Sequence, residues 1–220
     1  MGESKKGAEI KIRKKTLYKV LGVAVLLVFI GILYFNSGKI QQNNLIAKVN
    51  GEEIRQNQVE QMMEDLASRG QEITEQDAVN QVIDLALLKQ ESEKGSFSLT
   101  KEEAEQTLEV LLLQQGSSLD NLRQQIELQG GVYEEVLDDY KNNLEIQKYI
   151  ENELKDVIVS DSEAREFYEA NKEQIGNGEA VPPFEEIEMQ IKTFIEQEKR
   201  GQAIQILIQE LRSEAEIKYY

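Results

Sequence analysis

Val79–Gly95 reads VNQVIDLALLKQESEKG, and the spacing of its apolar residues decides the fold class. Val79, Val82, Ile83, Ala86 and Leu87 fall three and four apart, the interval that lines one face of an α-helix, and Gly95 ends the run. Toward the N-terminus, Val59, Met62, Met63 and Leu66 keep the same interval until Gly70. Toward the C-terminus, Thr100-x-x-Glu103 is a capping box that opens a third helix, which Gly116 closes. A short helix over about Leu119–Leu128 stops at Gly130-Gly131. A long one runs from Tyr133 to about Val157, with Val136, Leu137, Tyr140, Leu144, Ile150 and Leu154 as its apolar positions. Ser160-x-x-Glu163 is a second capping box and heads a helix that runs to about Gln174. Pro183 suits the first turn of the last helix, where its missing N–H costs nothing; that helix carries Phe184, Ile187, Ile191, Phe194, Ile195, Ile204, Leu207, Ile208 and Leu211. The expected class is mainly α.

Only the two ends of this helical run alternate. Leu45–Asn50 (LIAKVN) has β-branched residues and ends in the turn dipeptide Asn50-Gly51, and Ala215–Tyr220 (AEIKYY) alternates as well. Isolated strands must satisfy their backbone groups, so the expectation is a small two-stranded antiparallel pair of Leu45–Asn50 with Glu216–Tyr219.

Before the first strand runs Leu17–Phe35, LYKVLGVAVLLVFIGILYF, whose only charge is Lys19. As a helix it is roughly 30 Å long, about one hydrocarbon core. Residues 1–20 hold seven basic and two acidic side chains, whereas the other 200 carry 18 basic against 39 acidic. Basic residues crowd the N-terminal flank, so the positive-inside rule places residues 1–16 in the cytoplasm and exports the chain beyond the apolar run. A cleaved signal peptide would need small residues before the cut, and Phe35 or Asn36 stands at the required position. The reading is a basic tail over 1–16, an uncleaved transmembrane signal anchor over 17–36 in contact with membrane lipid, a linker over 37–44 and a helical domain over 45–220. The corresponding localisation is the cytoplasmic membrane, single-pass, with the C-terminal domain periplasmic or extracellular.

Composition removes most chemistries. The 220 residues contain no Cys and no His, so there is no thiol nucleophile, no Ser-His-Asp triad and no common zinc or iron site. No phosphate-binding glycine loop or metal-binding motif appears, so no cofactor and no metal are expected. Glu102-Glu103 and Glu185-Glu186 could be imagined as paired catalytic carboxylates, but both stand at helix starts, where acidic side chains favour the dipole. A net charge of −16, concentrated beyond residue 20, disfavours nucleic acid as a partner.

What remains is apolar surface. In Leu108–Leu113 (LEVLLL) a single core-facing stripe needs Leu108, Leu111 and Leu112, which leaves Val110 and Leu113 on another face. Either this helix is enclosed on two sides, or it offers an apolar surface to a partner or an unfolded chain. Met62-Met63 poses the same choice between core and flexible contact. Met62, Met63, Val110, Leu113 and Tyr133 are the candidate contact residues; no residue is assigned to catalysis.

The ordered segments resemble one family. IAKVNGEEI, NQVIDLALLKQESEKG, LTKEEAEQTLEVL and IELQGGVYEEVLDDYKNNLEIQKYI look like the entry strand and successive helices of the SurA N-terminal-like domain of SurA/PrsA-type exported chaperones. VSDSEAREFYEANKEQI is similar to the helix that leads into a parvulin prolyl-isomerase domain, and the last forty residues are similar to the helix and strand that come after one. Here only Gly176–Pro182 lies between them, and parvulin sites typically use histidines, which this chain lacks. The resemblance implies the chaperone module without the isomerase. The function it implies is a membrane-anchored, non-enzymatic holdase for unfolded or newly exported polypeptides. The alternative is a membrane-tethered adaptor for one envelope partner.

Overall fold

The computed structural model describes residues 44–176 and 181–220. The basic tail, the anchor over 17–36, nearly all of the linker and four residues of the short connection after Gly176 lie outside the described residues. Those described form seven helices and three strands.

Asn50 and Gly51 have φ of 52° and 90°, the two positive values of a type I′ turn, and Asn and Gly tolerate them best. The turn folds β1 (Leu45–Val49) onto β2 (Glu52–Arg55), with Val49 opposite Glu52 and Ala47 opposite Ile54. On its other edge β1 pairs antiparallel with β3 (Ile217–Tyr219), with Ala47 opposite Tyr219 and Val49 opposite Ile217. Asn50 fastens this closure: its N–H donates to the Glu216 carbonyl and its side-chain oxygen accepts the Glu216 N–H, both at 2.9 Å. The sheet order is β2-β1-β3, which corrects the expected two-stranded pair to three strands. Glu52–Arg55 (EEIR) has a single β-branched residue between charged ones, so no alternation marks it as a strand. Its pairing comes from the turn geometry, and Ile54 supplies its one buried side chain.

The contacts divide the described chain into two compact units. The first comprises residues 44–153 and 205–220. It contains the sheet, α1 (Gln56–Ser68), α2 (Glu75–Lys94), α3 (Lys101–Gln114), α4 (Leu119–Leu128), α5 (Tyr133–Glu153) and the end of α7 (Phe184–Glu214). Its principal core joins Ala47, Val49 and Ile54 of the sheet to Val59 of α1 and to the Val79, Val82, Ile83, Ala86 and Leu87 face of α2. Arg212 pins the end of α7 to α2 with a 2.5 Å bond to Asp84 and a 2.9 Å bond to the Asn80 carbonyl. Between α2 and α3 the chain is held against α5 at two points. The Phe97 ring meets Tyr149 edge-on at 5.7 Å, and the Leu99 N–H donates to the buried Glu145 carboxylate at 2.7 Å.

The second unit comprises α6 (Asp161–Gly176), its flanking residues from Leu154, and α7 through Ile204. Ala164 and Tyr168 of α6 pack against Phe184, Ile187 and Ile191 of α7, and the Tyr168 hydroxyl donates to the Pro182 carbonyl at 2.8 Å. Ser160 and Glu163 make the reciprocal cap of α6. Lys199 binds Glu163 at 2.5 Å, and this ion pair together with the Ser160 hydrogen bonds draws the Glu163 carboxyl down to about 2.

The membrane-anchored architecture and the single-pass localisation stand corrected. Among the described residues no helix is long and apolar enough to cross a membrane. Even the 31-residue α7 carries eleven charged side chains, and its longest uncharged stretch is the nine residues 201–209.

Candidate functional site

α3 is set by its two ends. At the start, the Glu103 N–H donates to the Thr100 hydroxyl at 3.2 Å and the Thr100 N–H donates to the Glu103 carboxylate at 2.8 Å. At the finish, Gly116 adopts φ of 73°. This lets its N–H reach the Leu113 carbonyl at 3.1 Å and the Ser117 N–H reach the Leu112 carbonyl at 2.8 Å. The paired bonds are a Schellman closure, and the left-handed residue they require is most cheaply glycine. With both ends fixed, Ala104, Leu108 and Leu112 face Leu122 of α4 and Leu137 of α5. Val110 and Leu113, three residues apart on the outer side, remain 56% and 62% exposed. The second side of the helix is therefore open to solvent.

Leu128, the last residue of α4, is 81% exposed, and Val132, just before α5, is also exposed. The small core of α3, α4 and α5 has Leu112, Leu119 and Ile126 half-buried at its margin, and none of the four exposed side chains is part of it. A large exposed apolar residue is unremarkable alone; Val110 and Leu113, together on one side of α3, mark a helix face that gains by being covered.

Tyr133 holds that small core together. Its hydroxyl donates to Glu105 of α3 at 2.8 Å, while the Arg123 guanidinium of α4 stacks 4.4 Å from its ring centre and pairs with the same carboxylate. Burial and the Glu105 hydrogen bond push the Tyr133 hydroxyl up to about 12, so at neutral pH it stays a neutral donor. Tyr133 thus joins three helices, and its ring is half-buried against their core. Met62 and Met63 lie elsewhere: both are half-buried against the core of the sheet, α1 and α2. The structure thus places Tyr133 against the α3–α4–α5 core, Val110 and Leu113 on the exposed outer side of α3, and the two methionines against the core of the sheet, α1 and α2.

Sequence reasoning missed Leu128, Val132, Ile158, Met189 and Ile206, all exposed. Met189, at 80% exposure, stands two residues from both Ile187 and Ile191 and so falls opposite the buried stripe of α7. That offset was a usable signal. Leu128 and Val132 carry none, since they stand on either side of Gln129-Gly130-Gly131, where the helical period is interrupted.

The carboxylates singled out by the sequence are otherwise engaged or isolated. Glu103 caps α3, its carboxyl held below the usual range first by the Thr100 backbone hydrogen bond. Glu185 lies 3.7 Å from Arg165. Among the described residues no group of three or more acidic side chains could hold a metal ion. A cleft of about 600 Å³ opens between the Asn50–Glu52 turn, the end of α2 and the end of α7. The polar groups at its turn satisfy one another: Gln90 donates to the Val49 carbonyl at 3.1 Å and to Glu52 at 2.8 Å, and accepts from Asn50 at 2.8 Å.

Comparison with known proteins gives three findings. Residues 9–115 match the family model described as the SurA-like N-terminal domain. No curated protein matches the chain. Among solved structures, the chain is similar to one from a study of the virulence factor PEB4 and the periplasmic protein Cj1289, described as two structurally related SurA-like chaperones of Campylobacter jejuni. The similarity has a TM-score of 0.62 at 16% identity and covers 81% of this chain and 100% of that one. At that identity the likeness is one of fold.

Proposed function

Because the chain carries a SurA-like N-terminal domain, we propose that it is a chaperone that acts by holding unfolded polypeptides, without catalysis. The observation that carries this reading is the exposure of Val110 and Leu113 on α3, Leu128 at the end of α4 and Val132 just before α5. An unfolded chain exposes apolar side chains that would otherwise associate with one another, and reversible burial against such a surface removes them from water. At about 25 cal/mol per Å², a few hundred Å² of contact supplies several kcal/mol before the cost of ordering the bound segment. Binding is then weak, broad in sequence and readily released.

No covalent step is needed, and the chain is poorly equipped for prolyl isomerisation. It has no histidine, and only residues 177–183 separate the helix ending at Gly176 from the one beginning at Phe184. Val110 and Leu113 are the principal contacts in this reading. Tyr133 positions the helices that present them, and Met62 and Met63 contribute packing.

Aggregation of two unrelated denatured proteins, followed by light scattering with the full chain present at low and high salt, tests the reading. Suppression of both, persisting at high salt, is the expected outcome. Suppression of neither, with saturable binding to one native protein instead, would replace the chaperone by an adaptor.

A further inference from the structure

The exposed apolar residues sit on an acidic stretch whose few cations are already occupied. Residues 101–135 contain eight acidic and two basic side chains. Lys101 is bound to Asp138 at 2.7 Å and lies 3.8 Å from Glu134. Arg123 is held by Glu105 and the Tyr133 ring, with Asp120 at 3.9 Å. By contrast, Glu102, Glu109, Glu127 and Glu135 are exposed and make no ion pair among the described residues. They interleave with the apolar positions: Glu109 is one turn from Leu113 along α3, and Glu127 directly precedes Leu128. The exposed apolar positions are therefore flanked by negative charge that no described residue neutralises.

We propose that this face selects among unfolded segments, taking those in which apolar side chains alternate with Lys or Arg and rejecting those flanked by Asp or Glu. The proposal rests on the chaperone reading and adds the class of polypeptide bound. Apolar burial supplies affinity common to all clients, while the four unpaired carboxylates add attraction for one sign of charge and repulsion for the other. These groups are solvent-exposed, so the discrimination is modest and fades as salt screens it.

The test uses the full chain and three fluorescent, unstructured peptides of identical apolar content, interleaved with Lys, Ser or Glu. Binding is read by anisotropy at low salt and at about 0.5 M salt. The expected order of affinity is Lys, then Ser, then Glu, with about five- to ten-fold between the extremes at low salt and less than about two-fold at high salt. Glu109→Gln with Glu127→Gln should reduce the Lys preference while leaving the Ser peptide unaffected. Glu173→Gln with Glu196→Gln, two exposed carboxylates of the other unit, should leave the preference intact. Equal affinity for Lys and Glu peptides, with all three bound, overturns the selectivity and spares the chaperone reading. An equal loss of preference in the two variants overturns it too, since total charge would then be the cause. Failure of all three peptides to bind overturns both.

Discussion

Replacing Val110 and Leu113 together by aspartate is expected to lower suppression of client aggregation about ten-fold while leaving the fold in place. Full burial of a valine or leucine side chain is worth roughly 1.5–3 kcal/mol. A loosely held client buries only part of each, and the ordering cost takes more, so a loss near 1.4 kcal/mol, about a factor of ten, is reasonable for the pair. Both side chains already face solvent, and substitutions at such positions usually change stability by less than about 0.5 kcal/mol each. The melting temperature should therefore move by only a few degrees. Light scattering with thermal melts of the same samples separates the two effects. Unchanged suppression by a folded variant would remove this face from the account.

Glu145→Ala is expected to destabilise the first unit by about 2–4 kcal/mol, the largest effect of any single polar substitution considered. The carboxylate is only 3% exposed, accepts the Leu99 N–H at 2.7 Å and binds Lys141 at 2.7 Å. Removing it leaves a part-buried backbone donor without a partner and a lysine, itself mostly covered, without its counter-charge. It also frees the segment between α2 and α3 that sets where α3 begins. For a chain of this size the loss corresponds to roughly 5–15 °C in melting temperature. Glu145→Gln keeps an acceptor for the Leu99 N–H and should recover part of the loss. Thermal denaturation of the two variants decides it; an alanine variant that melts with the wild type would show that neither bond contributes net stability.

The contrast between these two predictions reflects what a linear sequence can carry. Helix periodicity and capping are local, so the apolar face of α2, the Thr100 and Ser160 caps and the closing helix were legible from side chains a few residues apart. β2 was not, because EEIR becomes a strand through a hairpin turn and a neighbour's edge rather than through its own composition. Glu145 was equally hidden. It stands among other polar residues in a run that looks solvated, and its burial depends on a segment 46 residues away. The pattern of Leu108–Leu113 did show that Val110 and Leu113 leave the main stripe. Whether their side of the helix is covered depends on what packs there, which periodicity does not encode. The methionines illustrate the reverse: adjacent and flexible in sequence, Met62 and Met63 fill space against a core, while the strongly exposed Met189 lay off the stripe of α7.

The central claim is that unfolded chains contact the outer face of α3, and site-specific photo-crosslinking in the full chain tests it most directly. A photoreactive residue at position 113 should form adducts with a denatured client and far fewer with the same client folded. The same group at position 71, an exposed polar site beyond α1, should remain at background. Adducts at 71 equal to those at 113, or none at 113 while aggregation is still suppressed, would contradict the account.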